Sequence, residues 1–143
     1  MKLPHITRYK DIKNSSIGGS SKFFIITLDI KYKDDKAIYA HEYEHVRQWY
    51  TISAIGNLLF LGTYLFVSLP TFAILAGVIP ILAMGMDNLL YTQVKKYKEW
   101  AEIRAYKKQV AAGGNLEQAI LGLCSPHYKY SITYDEAKKI LTN

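Results

Sequence analysis

Residues 41–49 read His41-Glu42-Tyr43-Glu44-His45-Val46-Arg47-Gln48-Trp49, and the spacing within this stretch organises the rest of the chain. On a helix, side chains four apart lie one above the other on the same face. His41 and His45 can therefore aim two imidazole nitrogens at one point. Zinc accepts such ligands and keeps a corner open for water where a site is catalytic. Glu42, one step round the helix, can reach that water as a general base. The plainer reading of the same residues is a surface helix with paired charges, such as Glu44 with Arg47 or Gln48. Both readings need a helix. Asp34 or Asp35 can cap it, and Ala37, Ile38 and Ala40 follow with no breaker until Gly56.

Upstream, residues 23–30 are a β-branched and aromatic run long enough for one strand, and residues 5–12 offer a partner. Between them residues 14–21 carry turn chemistry. The pattern predicts an N-terminal β-hairpin or short sheet. Such a strand can offer its edge to an extended peptide or serve only as scaffold, and the sequence leaves both open.

Downstream, the helix over residues 36–55 is expected to run straight into an apolar segment. No Lys, Arg, Asp or Glu occurs between Ile52 and Met86. Pro70 divides this segment into residues 52–69 and 71–86, and Pro80 is a second breaker. Eighteen helical residues span about 27 Å against a hydrocarbon core of about 30 Å. Residues 52–90 are accordingly expected to form a helical hairpin with Pro70 near its tip, inserted in a lipid bilayer or covered by an apolar protein partner. Lys31, Lys33, Lys36 and Arg47 before it and Lys95, Lys96 and Lys98 after it put both ends on the cytoplasmic side in the membrane reading. The rival is a buried pair of core helices, alone or inside a larger assembly such as a virion.

Residues 91–112 return to a polar helix that Gly113-Gly114 ends. Asn115 can cap a short helix over residues 116–123, and Thr133-Tyr134-Asp135-Glu136 has the form of a capping box opening a last helix. The whole is expected to be one α+β, mainly α domain over residues 1–143. With 143 residues the chain is long enough for one modest core. Its net charge of +6 suits anionic surfaces, but the lysines are spread and no nucleic-acid motif accompanies them, so no specific nucleic-acid partner is expected. The single cysteine, Cys124, excludes an internal disulfide and reads as a structural thiol with no base beside it. Residues 1–13 are polar and broken by Pro4, unlike a signal peptide.

Two histidines need a third protein ligand. Glu99, Glu102, His5 and His127 are the candidates. Lys95 and Lys98 stand four residues before Glu99 and Glu102, so both glutamates also fit ordinary helix-surface ion pairs. Here the chain resembles the zincins of the glutamate-ligand type, in which the third ligand lies on a later helix in a Glu-x-x-Ala pattern. Glu102-Ile103-Arg104-Ala105 matches that pattern, whereas Glu99-Trp100-Ala101-Glu102 does not. The resemblance implies Glu102 as the ligand, with Glu99 as the fallback. Over residues 39–108 the order of motif, apolar hairpin and glutamate helix is similar to the membrane zinc proteases of the prenyl-protein and heat-shock type. Those carry further spans upstream, and an acidic residue after the Ala where this chain has Tyr106. The form His-Glu-x-x-His-x-x-Gln with a later Glu-x-x-Ala-Tyr also resembles small zincin-like proteins of bacteria and phages.

The resemblance implies zinc-dependent hydrolysis of a peptide or protein substrate, with Zn²⁺ on His41, His45 and Glu102 and with Glu42 as the base. His127, Tyr128 and Tyr130 lie in an irregular stretch from which an oxyanion donor could come, although packing is the default role in a chain with twelve tyrosines. The alternative is a non-catalytic zincin-like protein, structural or membrane-interacting, such as a component of a phage particle.

Overall fold

The computed structural model describes residues 2–12, 18–63, 66, 69–126, 130 and 132–143. Within them β1 (Ile6–Lys10), β2 (Gly19–Lys22) and β3 (Ile25–Asp29) form a sheet in the order β1-β3-β2. β1 runs parallel to β3, with Ile6 opposite Ile25 and Lys10 opposite Asp29. β2 runs antiparallel, with Gly19 opposite Leu28. Ile26 and Leu28, two apart and so on one face of β3, are fully buried and pack with Val46.

The α+β, mainly helical architecture matches the reading of the sequence, but the hairpin is built differently. It pairs β2 with β3, and β2 comes from the Gly-Ser stretch whose composition signals a turn. The link is Phe23-Phe24, with Phe23 at φ 57°, in the left-handed region that a bulky residue rarely enters. Both rings pack against Trp49, with centroids 6.0 and 5.8 Å away. Aromatic packing thus holds a turn that local propensity does not announce.

Asp35 caps α1 (Lys36–Thr63) by accepting from Ala37 N at 2.8 Å and Ile38 N at 3.0 Å. α2 (Leu69–Gln93) returns along it, with Pro70 in its first turn, where the missing N–H is harmless. Val94, extended at φ −109° and ψ 98°, separates α2 from α3 (Lys95–Ala111). α4 (Leu116–Leu123) starts at Asn115, which accepts from Gln118 N, and α5 (Tyr134–Thr142) starts at the Thr133–Glu136 capping box. Ala119, Ile120, Leu123, Ala137 and Leu141 make a second core, with Ile103, Tyr106 and Val110 of α3 packed against it.

The membrane reading of residues 52–90 is corrected by this arrangement. Among the described residues no helix is long and apolar enough to cross a membrane. The apolar part of α1 covers only its second half, after a first half that carries the histidine motif and Arg47. α2 contains Pro80, Asp87 and Asn88. Two of its polar groups meet protein: Met84 O accepts from Trp49 Nε1 at 2.7 Å, and Asp87 accepts from the Tyr97 hydroxyl. A membrane-associated chain with both hairpin ends cytoplasmic, and a bilayer partner for the hairpin, therefore find no support. α1 and α2 pack on each other through Phe60 and Ala83, while Leu58, Leu59, Ile81 and Leu82 remain exposed on the outer faces of the pair.

α1 and α2 lie close together at Gly56, where an added Cβ would lie 2.9 Å from the Ala83 methyl. Gly62, further along the same helix, has nothing within 4 Å. Alanine favours a helix over glycine by about 1 kcal/mol at either position. Gly62→Ala should therefore raise the thermal unfolding midpoint, whereas Gly56→Ala should lower it by forcing the helices apart. Equal shifts in a thermal melt would mean that the two helices do not meet there.

Candidate metal centre

The cap at Asp35 starts α1, whose turns stack the two imidazoles with ring centroids 5.1 Å apart. Each ring is tethered through Nδ1. His41 Nδ1 donates to Gln109 Oε1 at 3.0 Å, and His45 Nδ1 donates to Gln48 Oε1 at 2.9 Å. The Gln48 amide has one allowed orientation, because its Nε2 donates to Ala101 O at 2.9 Å and a carbonyl can only accept. With Nδ1 carrying the proton, the lone pair of each neutral ring sits on Nε2.

Both Nε2 atoms face Glu102 of α3, which is 1% exposed. His41 Nε2 lies 3.5 Å from Oε2, and His45 Nε2 lies 3.5 Å from Oε1. Ala101 and Ala105, fully buried on either side of Glu102, leave room for α3 to approach α1. The Tyr91 hydroxyl donates to Oε1, while Oε2 is buried without a hydrogen-bond partner. Tyr106 stands edge-on to His41 with centroids at 4.6 Å, and Tyr91 edge-on to His45 at 6.0 Å. Burial acts to raise the Glu102 carboxyl, but protonated imidazoles at His41 and His45, together with the Tyr91 hydroxyl, outweigh it and hold the group below its usual range.

The donors fit a zinc ion. Nitrogen–oxygen separations of 3.5 Å are longer than a hydrogen bond. They bring each imidazole nitrogen near one oxygen of the carboxylate, at the kind of separation that ligands of one metal ion have. A buried carboxylate oxygen without a partner is otherwise costly, and coordination would satisfy it. Among the described residues His41, His45 and Glu102 are a group whose ligand atoms all lie within 4.8 Å of one another.

Glu42 lies beside this cluster, 7% exposed. Burial raises its carboxyl to about 7, opposed by His45 and a hydrogen bond from Ser21 and reinforced by Glu102. β2 passes so near that a Cβ on Gly19 would come 3.1 Å from Glu42 Cγ and 3.2 Å from its Oε1. Only glycine lets the strand lie there. β3 is central and paired on both sides, so the strand that borders the glutamate is the outer strand β2, not the run at residues 23–30.

The other candidates separate clearly. Glu99 lines a surface pocket with Ile132, Glu136, Lys139 and Ile140, outside the cluster. His5 is tied to the N-terminal segment, its Nδ1 donating to Leu3 O and its Nε2 accepting from the Tyr39 hydroxyl at 2.7 Å. His127 and Tyr128 lie outside the described residues. Tyr130 is near the site: burial first, then the carboxylates of Glu102 and Glu99, pushes its phenol well above the usual range. Of the charge pairs that the sequence offers, Glu44 with Arg47 is made. Glu44, 2% exposed, accepts from Arg47 at 3.1 Å and from Arg104 Nε at 3.0 Å, which fastens α1 to α3.

Tyr91 and Gln109 were not legible as site residues, and Gln48 was legible only as part of the motif. Gln109 has a faint signal, since seven residues after Glu102 returns to the same helical face. Comparisons with protein-family models, with curated proteins and with solved structures return no match.

The tethers make a spectroscopic prediction. In metal-free protein at pH 8, long-range proton–nitrogen NMR should show both His41 and His45 protonated at Nδ1. Protonation at Nε2 in either ring would contradict the amide tethers.

Proposed function

We propose that the chain is a minimal zinc-dependent peptide hydrolase, with His41, His45 and Glu102 as the metal ligands and Glu42 as the group that moves the proton. The observation that carries this reading is the convergence of two imidazole Nε2 atoms and a buried carboxylate, with a second carboxylate beside them. When bound, zinc polarises a carbonyl and acidifies water.

Glu42 is placed to take a proton at its carboxylate and to return it to the leaving amine. The Gly19–Ser21 segment of β2 keeps that carboxylate covered and, through Ser21, hydrogen-bonded. β2 is also an outer strand, so an extended peptide can align along it next to Glu42. Tyr130, protonated at neutral pH, is the donor we assign to the developing oxyanion. A second reading is favoured by the depth of Glu102: the ion would serve only as a clamp between α1 and α3, with no turnover.

Zinc should be counted in the purified wild type after exposure to one equivalent, and in Glu42→Gln and Glu102→Ala alongside it. The hydrolase reading expects one zinc in the wild type and in Glu42→Gln, with cleavage of a denatured test protein reduced about 10²–10⁴-fold in that variant. Glu102→Ala should lose most of the metal. A wild type that binds zinc and gains thermal stability, yet never cleaves, would establish the clamp. One that binds no divalent metal would remove both readings.

A further inference from the structure

The two oxygens of Glu102 have unequal surroundings. Each lies 3.5 Å from one imidazole Nε2, Oε1 from that of His45 and Oε2 from that of His41, but Oε1 accepts the Tyr91 hydroxyl whereas Oε2 is buried with no hydrogen-bond partner. A carboxylate facing a metal can coordinate through one oxygen or through both, and the choice changes the coordination number by one. A hydroxyl fixed on one oxygen competes for its lone pairs and leaves the other as the better ligand.

Tyr91 is well held for this task. Its ring stands edge-on to His45 at 86°, and Lys98 Nζ lies 5.3 Å from the ring centroid. It also comes from α2, the helix with no other residue in the cluster. The break at Val94 turns the end of α2 against α3, and the Tyr97 hydroxyl on the Asp87 carboxylate fastens the same corner.

We infer that Tyr91 is a positioning residue of the metal site, whose hydroxyl occupies Oε1 of Glu102 and makes Oε2 the single coordinating oxygen. This rests on the metal-site reading above. The hydroxyl does not touch substrate in this role. It sets the coordination number at three protein donors and so preserves the open corner that a catalytic site requires.

The test compares wild type, Tyr91→Phe and Tyr97→Phe, each loaded with cobalt(II) and separately titrated with zinc against a chromophoric chelator. Tyr91→Phe keeps the ring and loses only the hydroxyl. Its carboxylate is free to bind through both oxygens, so the visible cobalt band should weaken as the ion becomes five-coordinate, and zinc affinity should fall about 10–100-fold. Tyr97→Phe removes a hydroxyl from the same corner without touching Glu102, and should leave the cobalt spectrum unchanged.

A wild-type spectrum and affinity in Tyr91→Phe would overturn the inference while leaving the metal site intact. So would an equal spectral change in Tyr97→Phe, because the effect would then be general packing. Absence of cobalt and zinc uptake by the wild type would overturn the metal site itself. Should Tyr91→Phe not fold, zinc-edge X-ray absorption on the wild type decides the matter: one carboxylate oxygen in the first coordination sphere supports the assignment, and two overturn it.

Discussion

The structure depends on keeping one ionised carboxylate, Glu102, inside a helical interface. Removing such a group from water costs on the order of several kcal/mol, and the fold repays it only with partners placed in advance. Two imidazole edges come from α1, a phenol comes from α2, and α3 itself supplies the charge. No single helix could assemble these groups. The site is therefore a reason for the three helices to meet at this angle, as much as a product of their meeting.

The neighbours of Glu102 avoid adding further negative charge where it would be hardest to bear. Histidine ligands are often steadied by carboxylates, which also raise their basicity. Here both Nδ1 atoms donate to neutral amides, Gln109 and Gln48. Burial also disfavours the charged form of Glu42, the nearest other acid. The remaining buried acid of the motif, Glu44, is neutralised by Arg47 and by Arg104 of α3. The contact between α1 and α3 thus holds both a neutralised ion-pair clamp, through Glu44, and a lightly charged donor set, around Glu102. A cation bound at Glu102 would keep more of its electrophilic character than it would beside supporting carboxylates.

The sequence made local features legible and left relative placement hidden. The four-residue spacing of His41 and His45 defines one face of any helix, and the capping signals at Asp35, Asn115 and Thr133 act within a single turn, so both could be read directly. Choosing Glu102 over Glu99 needed the likeness to a known pattern, because both have a lysine four residues earlier and local rules treat them alike. The strand β2 was missed because Gly19, Ser20 and Ser21 have turn composition. It becomes a strand through pairing with β3, and through packing around Trp49 that fixes Phe23 and Phe24. Tyr91 left no trace, since its place beside Glu102 follows from the bend at Val94.

The hairpin shows why composition misleads where packing decides. A membrane span and a helix buried against protein both need long runs of Leu, Ile, Ala and Gly, so the absence of charge from Ile52 to Met86 suits either. The distinction lies in what the few polar groups meet. In a bilayer the backbone must satisfy itself, and an indole N–H at mid-depth has no ready acceptor. Here the Trp49 indole reaches a carbonyl of α2, Asp87 has the Tyr97 phenol, and Tyr91 has Glu102. Ala83 seats against Gly56 at a separation too small for any larger pair. These contacts run towards the C-terminal end of α2, the end that reaches the His41–His45–Glu102 cluster through Tyr91. The phenol of Tyr91, near the end of α2, reaches Glu102 from there.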